Sequence, residues 1–138
     1  MNIGQAIAQL NYLAVLVAAL ASFIIGSFWF SDAMFGETWM RANAFSREDL
    51  RERNMVKIFG LSFLLVLVSS FVLALFIGPD GGFGTGIIAG FLVGIGWVAT
   101  SLGVTDLFES KPTHHFLVNA GYHVVSFMVM GAILGLWK

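Results

Sequence analysis

Apolar side chains fill four stretches of the chain, residues 10–30, 58–77, 83–105 and 116–137, and polar ones gather between them. At about 1.5 Å of rise per residue each stretch covers a hydrocarbon core of roughly 30 Å, so the pattern predicts four transmembrane helices. Only Asn11, Tyr12, Ser22 and Ser27 interrupt the first stretch, and the second carries no charge. Gly78-Pro79-Asp80-Gly81-Gly82 sets proline in the second position of a tight turn, which makes the second and third spans antiparallel neighbours. Pro112 suits the first turn of the fourth span, where a missing N–H leaves no bond unmade. With 58% hydrophobic and 11% charged residues, the expected fold class is an all-α integral membrane protein, one domain over residues 1–138. The start of the chain lacks the basic region of a secretory signal, so the first span is expected to be retained.

Within the third stretch Gly86, Gly90, Gly94, Trp97 and Ser101 recur at helical spacing and share one face at about 3.6 residues per turn. A face without side chains lets another backbone come close, which in lipid supplies the attraction that hydrophobicity cannot. The same spacing occurs 68 residues earlier as Ala18, Ser22, Gly26 and Trp29. These two faces predict a pair of related helical hairpins arranged as a parallel repeat, and a homo-oligomer assembled through them. In the long first connection Ser46 and Asp49 form a capping box, Asp49 is spaced to pair with Arg53, and no breaker follows before Gly60. The helix begun there is expected to run on as a charged cytoplasmic extension of the second span, with a frayed linker as the alternative. Arg41, Arg47, Arg51, Arg53, Lys57 and Lys111 flank the first and third connections and none lies in the second, which predicts both termini outside.

Candidate chemistry concentrates on the fourth span, where His115, Asn119, Tyr122, His123 and Ser126 share one face. His123 falls near the bilayer midplane. An ionisable side chain there is either a functional group or an imidazole hydrogen-bonded to a neighbouring helix. Thr100 and Ser101 of the third span come at the depth of Asn119 and predict a polar seam between the third and fourth spans. Asp106, Glu109, His114 and His115 have metal-ligand chemistry, but adjacent histidines on a helix diverge by about 100°. A solvated connection is the plainer account, and no metal or other cofactor is expected. Haem ligation through His123 would need the same residue from a second copy.

The chain has no cysteine, which excludes disulfides and thiolate chemistry, and a net charge of −1, which leaves no nucleic-acid footprint. Nucleophile motifs, phosphate loops and carboxylate pairs are missing as well, and no enzyme is expected. The first span also lacks the membrane-embedded glutamate expected of a small four-span proton-coupled exporter.

Gly26-Ser27-Phe28-Trp29-Phe30-Ser31, continuing through Phe35-Gly36-Glu37-Thr38-Trp39-Met40-Arg41, and Asn119-Ala120-Gly121-Tyr122-His123, continuing to Gly131-Ala132-Ile133-Leu134, resemble the bacterial membrane family called domain of unknown function 1761. Phe30 stands where that pattern has tyrosine and Asp32 where it has proline. The resemblance implies the bacterial inner membrane and no established activity. At the junction itself, Phe35 and Trp39 would seat the end of the first span among lipid headgroups, with Arg41 on the phosphates or paired with Asp32 or Glu37.

Three readings of function stay open. The first is a channel or carrier for a small solute, lined by His123, Asn119, Tyr122 and Ser126. The second is a scaffold or accessory subunit that receives a membrane-protein partner, and the third is a haem or metal protein.

Overall fold

The computed structural model describes residues 2–138, and they form helices joined by short turns. A short α1 (Ile3–Ala8) precedes α2 (Tyr12–Trp29), the first span, and the Asn11 side chain accepts the Ala14 N–H at 3.0 Å to start it. The first connection holds α3 (Gly36–Ala42) and α4 (Arg47–Arg51). The second span is α5 (Met55–Ile77). The third span comprises α6 (Phe83–Val93), a wide π turn (Gly94–Ala99) and α7 (Thr100–Phe108), and the fourth is α8 (Thr113–Leu136). Four helices, Tyr12–Trp29, Met55–Ile77, Phe83–Phe108 and Thr113–Leu136, are thus long and apolar enough to cross a membrane.

The distribution of bulk fits lipid as the solvent. On α2 the large residues Leu13, Leu16, Leu20, Ile24 and Phe28 face outward, whereas Ala14, Ala18, Ala19 and Ser22 are buried. In water the large residues would go inside. Here they are turned toward the surroundings, and small or hydroxylated positions let the backbones meet.

α8 is the hub. On one side it lies against α6, where a methyl added at Gly86 would overlap the carbonyl oxygen of Gly131, and one added at Gly131 would overlap that of Gly86. Gly90 meets the Phe127 carbonyl and Gly135 that of Gly82 in the same way. Such contact permits Cα–H···O bonds of about 0.5–1 kcal/mol each. On its other side α8 lies against α2. The glycine face of the third span is therefore covered by the chain's own fourth span, which corrects the expectation that it joins copies. Ala18 and Ser22 of the first span are likewise buried within the chain.

The stripe read as Gly86, Gly90, Gly94, Trp97 and Ser101 breaks after Gly94. Its cause is the π turn, which advances less per residue than an α-helix and falls behind by about one residue, or ~100°, across Gly94–Ala99. Ala99 is buried, while Trp97 is 59% exposed and packs edge-on against Phe76 with centroids 5.8 Å apart. The repeat relation with Trp29 fails at this point, since Trp29 packs on α8.

The charged helix does not run into the second span. α4 ends at Arg51, and Asn54 starts α5 afresh by accepting the Lys57 N–H at 3.1 Å. The capping box is present, with Ser46 N–H on Asp49 Oδ2 at 2.8 Å and Asp49 N–H on Ser46 Oγ at 3.0 Å. Arg53 does not join it, because its guanidinium lies 4.5 Å over the Phe45 ring.

Candidate functional site

The second span buries residues against the bundle only along its later half. Ser70, Leu73, Ala74 and Ile77 are buried, and Ser70 Oγ donates to Val15 O of α2 at 2.9 Å. Toward its other end every residue from Met55 to Leu61 is exposed. Where α5 stands off, a cleft of about 590 Å³ opens between α2, α5 and α8. Phe23, Phe30, Phe59 and Phe127 are among its walls, and Phe23 packs on Phe63 at 5.4 Å and on Phe59 at 6.4 Å.

A hydroxyl cluster forms the inner edge of this cleft. Tyr122 Oη donates to the Ser22 carbonyl at 3.2 Å, and it also lies 3.1 Å from Ser22 Oγ, which is 2.5 Å from Ser126 Oγ. One assignment satisfies all three groups: Ser22 donates to Tyr122 and Ser126 donates to Ser22. His123 lines the same cleft, about 15 Å along α8 from its start, with its ring 4.9 Å from that of Tyr122. Among the described residues no hydrogen bond engages its ring nitrogens or the Oγ of Ser62 on α5, and since no buried polar atom lacks a partner, both groups are open to the cleft.

Below the cleft two glycines are fitted to two aromatic rings. Gly26 lies under Tyr122, whose oxygen would be 3.3 Å from an added methyl, and Gly121 lies under Trp29, where the gap would be 3.0 Å. Trp29 Nε1 donates to the Val118 carbonyl at 2.9 Å, and Phe30 meets Tyr122 edge-on at 5.3 Å. The segments from Gly26 to Phe30 and from Asn119 to His123 are thus two sides of one interface.

The model of the family described as "Protein of unknown function (DUF1761)" matches residues 13–135. The chain belongs to that family. Neither the curated proteins nor the solved structures contain a match to it. In this DUF1761 member the matched region takes in all four spans, the cleft and the glycine–aromatic interface.

Other sequence candidates fall elsewhere. Thr100 and Ser101 face outward, and Thr100 Oγ1 donates back to Gly96 O at 2.8 Å, so the expected seam between the third and fourth spans is absent at this depth. The phase lost in the π turn is the reason. The seam lies instead between α2 and α8, where Ser22, read as a packing residue, supplies the hydroxyl.

His115 is buried near the start of α8, where its Nδ1 lies 2.7 Å from Asp106 Oδ2 and its Nε2 lies 3.3 Å from Asn119 Nδ2. An Nδ1-protonated ring, donating to Asp106 and accepting from Asn119, satisfies both contacts. Neither residue lines the cleft. No group of three or more metal-ligating side chains occurs among the described residues, and His114 and Glu109 are exposed.

The anchor residues behave differently from one another. Phe35 packs on Trp29 at 4.8 Å, and Trp39 packs between Phe30 at 5.8 Å and Phe45 at 5.4 Å, so both belong to a protein-facing aromatic cluster. Arg41 is exposed, and the partner expected for Asp32 and Glu37 is taken by Arg47, at 3.1 and 3.8 Å. Gly36 makes the turn into this cluster possible, because any side chain there would press on the Ser31 carbonyl. The signals for the cleft that sequence reading missed are Ser62 and Ser69, two small polar positions on the otherwise bulky α5.

Proposed function

We propose that this DUF1761 chain is a membrane carrier that takes a small solute into the cleft between its first, second and fourth spans. The observation that carries this reading is the cleft itself: about 590 Å³, within the range of small-molecule sites, mostly apolar and set with a few polar groups at one edge. Tyr122, Ser126 and Ser22 form that edge and His123 stands beside them. Asn119, expected earlier to share the lining, is engaged with His115 instead. A carrier is favoured over a channel because the polar groups end in a cleft and do not string through the bundle.

The basic first and third connections are read as cytoplasmic and both chain ends as outside. Supporting this, Lys111 Nζ lies 3.3 Å from Asn43 Oδ1, so the two connections meet at one end of the bundle. Lys138 Nζ and Gly78 O, 2.7 Å apart, mark the other end. In a bacterium the membrane would be the inner one.

Native mass spectrometry of the chain extracted from its own host's membranes in mild detergent tests the reading. A small molecule that stays bound to the wild type and is lost from Ser62→Trp, which fills the cleft, is the expected result. Absence of any co-isolated molecule, or equal retention in the variant, overturns it.

A further inference from the structure

The cleft is lined from three helices without one carboxylate, ammonium or guanidinium. A charged solute taken from water would leave its hydration behind and find no counter-charge, at a cost of several kcal/mol. The hydroxyls of Ser22, Tyr122 and Ser126 satisfy one another, so they offer little to a visitor. Ser69 and Ser27 are also engaged, donating to Leu65 O and Phe23 O at 3.2 and 3.0 Å.

Two polar groups of the lining are different. The His123 imidazole on α8 and the Ser62 hydroxyl on α5 line the cleft from separate helices, make no hydrogen bond among the described residues, and are accessible from it, since no buried polar atom lacks a partner. An accessible donor or acceptor among apolar side chains is free to bond to a visitor that brings a matching polar group. Serine in a lipid-facing helix commonly bonds back to the carbonyl one turn earlier, and Ser69 does so where Ser62 does not. The rest of the wall is aromatic and aliphatic, and exposed Ile58, Phe59 and Leu65 on α5 form a rim of the same character as the outer face of the bundle. Such a rim offers no barrier to a molecule dissolved in hydrocarbon.

We infer that the cleft's occupant is a neutral lipophile drawn from the bilayer, with an apolar body against the phenylalanines and one oxygen head group, hydroxyl or carbonyl, held by His123 and Ser62. This rests on the carrier reading and narrows its solute to one class. Each partner can both donate and accept, so the pair suits either oxygen.

The test uses the full chain in liposomes with three photoactivatable probes: a long-chain alcohol carrying a diazirine, and its trimethylammonium and carboxylate analogues. The alcohol is expected to label cleft peptides around Phe59 and Phe127, with both charged analogues at background. In His123→Phe the half-saturating concentration of the alcohol rises about five- to tenfold, the worth of one hydrogen bond lost from an apolar site. Ser62→Ala gives a smaller rise in the same direction, and Ser62→Trp abolishes labelling. Size-exclusion behaviour and thermal unfolding confirm that each variant folds, and Ser62→Ala serves if Ser62→Trp does not. Charged probes that label the cleft as well as the alcohol, or an alcohol indifferent to His123→Phe, overturn the inference and leave the carrier reading standing. Labelling by no probe, or labelling unchanged by Ser62→Trp, overturns both.

Discussion

α8 has two unlike neighbours. Against α6 it is locked backbone to backbone through Gly86, Gly90, Gly131 and Gly135, with no room for a methyl on either side. Toward α2 and α5 it meets hydroxyls and rings, and part of the space is left open. Lipid offers no hydrophobic drive to squeeze helices together, so closeness has to be written into side-chain size. Where the chain writes glycine on both partners the halves become one rigid wall. Where it writes serine, tyrosine and phenylalanine, it leaves a groove that a third molecule can fill. One helix carries both instructions on opposite faces.

The sharpest way to break this contrast is at the wall. Gly86→Leu or Gly131→Val forces a side chain into a backbone carbonyl that cannot yield, and each is expected to cost more than about 3 kcal/mol and prevent accumulation of folded protein. Detergent unfolding and expression level measure it. Next come the hydroxyls: Ser22→Ala with Tyr122→Phe removes the hydroxyl bonds between α2 and α8, leaving that of Trp29, and should lower stability by about 1–2 kcal/mol, close to the known range for hydrogen bonds between membrane helices. A loss as large as that of Gly86→Leu would mean the two sides are not distinct.

On the cleft side, Gly60→Ala meets nothing within 4 Å and should be neutral or slightly stabilising, by up to about 1 kcal/mol from helix propensity. The same exchange at Gly90 should be severe. Equal responses at 60 and 90 would dissolve the comparison.

The smallest effect lies outside the bundle. The bonds with Ser46, that of its backbone N–H first and that of its side chain second, hold the Asp49 carboxyl below its ordinary value. Its support of α4 is therefore complete above the ordinary carboxylate range and fades as pH falls through the depressed value. Amide-exchange protection over residues 46–52, taken relative to the intrinsic exchange rate at each pH, should weaken in acid, and Asp49→Asn should remove that pH dependence while leaving the spans untouched.

Much of this was legible in the residues. The spans read as 10–30, 58–77, 83–105 and 116–137 agree with the helices to within three residues at every edge, because in lipid the length of an apolar run is itself the signal. What shifted the edges was capping: Asn11 and Asn54 start helices that hydropathy alone begins elsewhere. The grouping of Tyr122, His123 and Ser126 was visible from spacing, yet their partner was misread as Thr100 and Ser101. Helical arithmetic carried through Gly94–Ala99 assumed a constant turn, and a π turn has no reliable signature in one sequence. The cleft was out of reach for another reason. It exists because α5 is buried along its later half and meets α2 mainly through the rings of Phe59 and Phe63 along the other, and the run of bulky residues along both halves looks alike.

That uneven winding also decides where a carboxylate goes. Counted along a regular helix, Asp106 would come out about a third of a turn away from the face of Gly94, pointing past the fourth span. The slack taken up between Gly94 and Ala99 swings it back, so that Asp106 sits 8% exposed beside His115. Excising a single residue from that stretch would take out the slack and still leave Asp106 beside His115, because eleven regular steps of about 100° end where the twelve uneven ones end now.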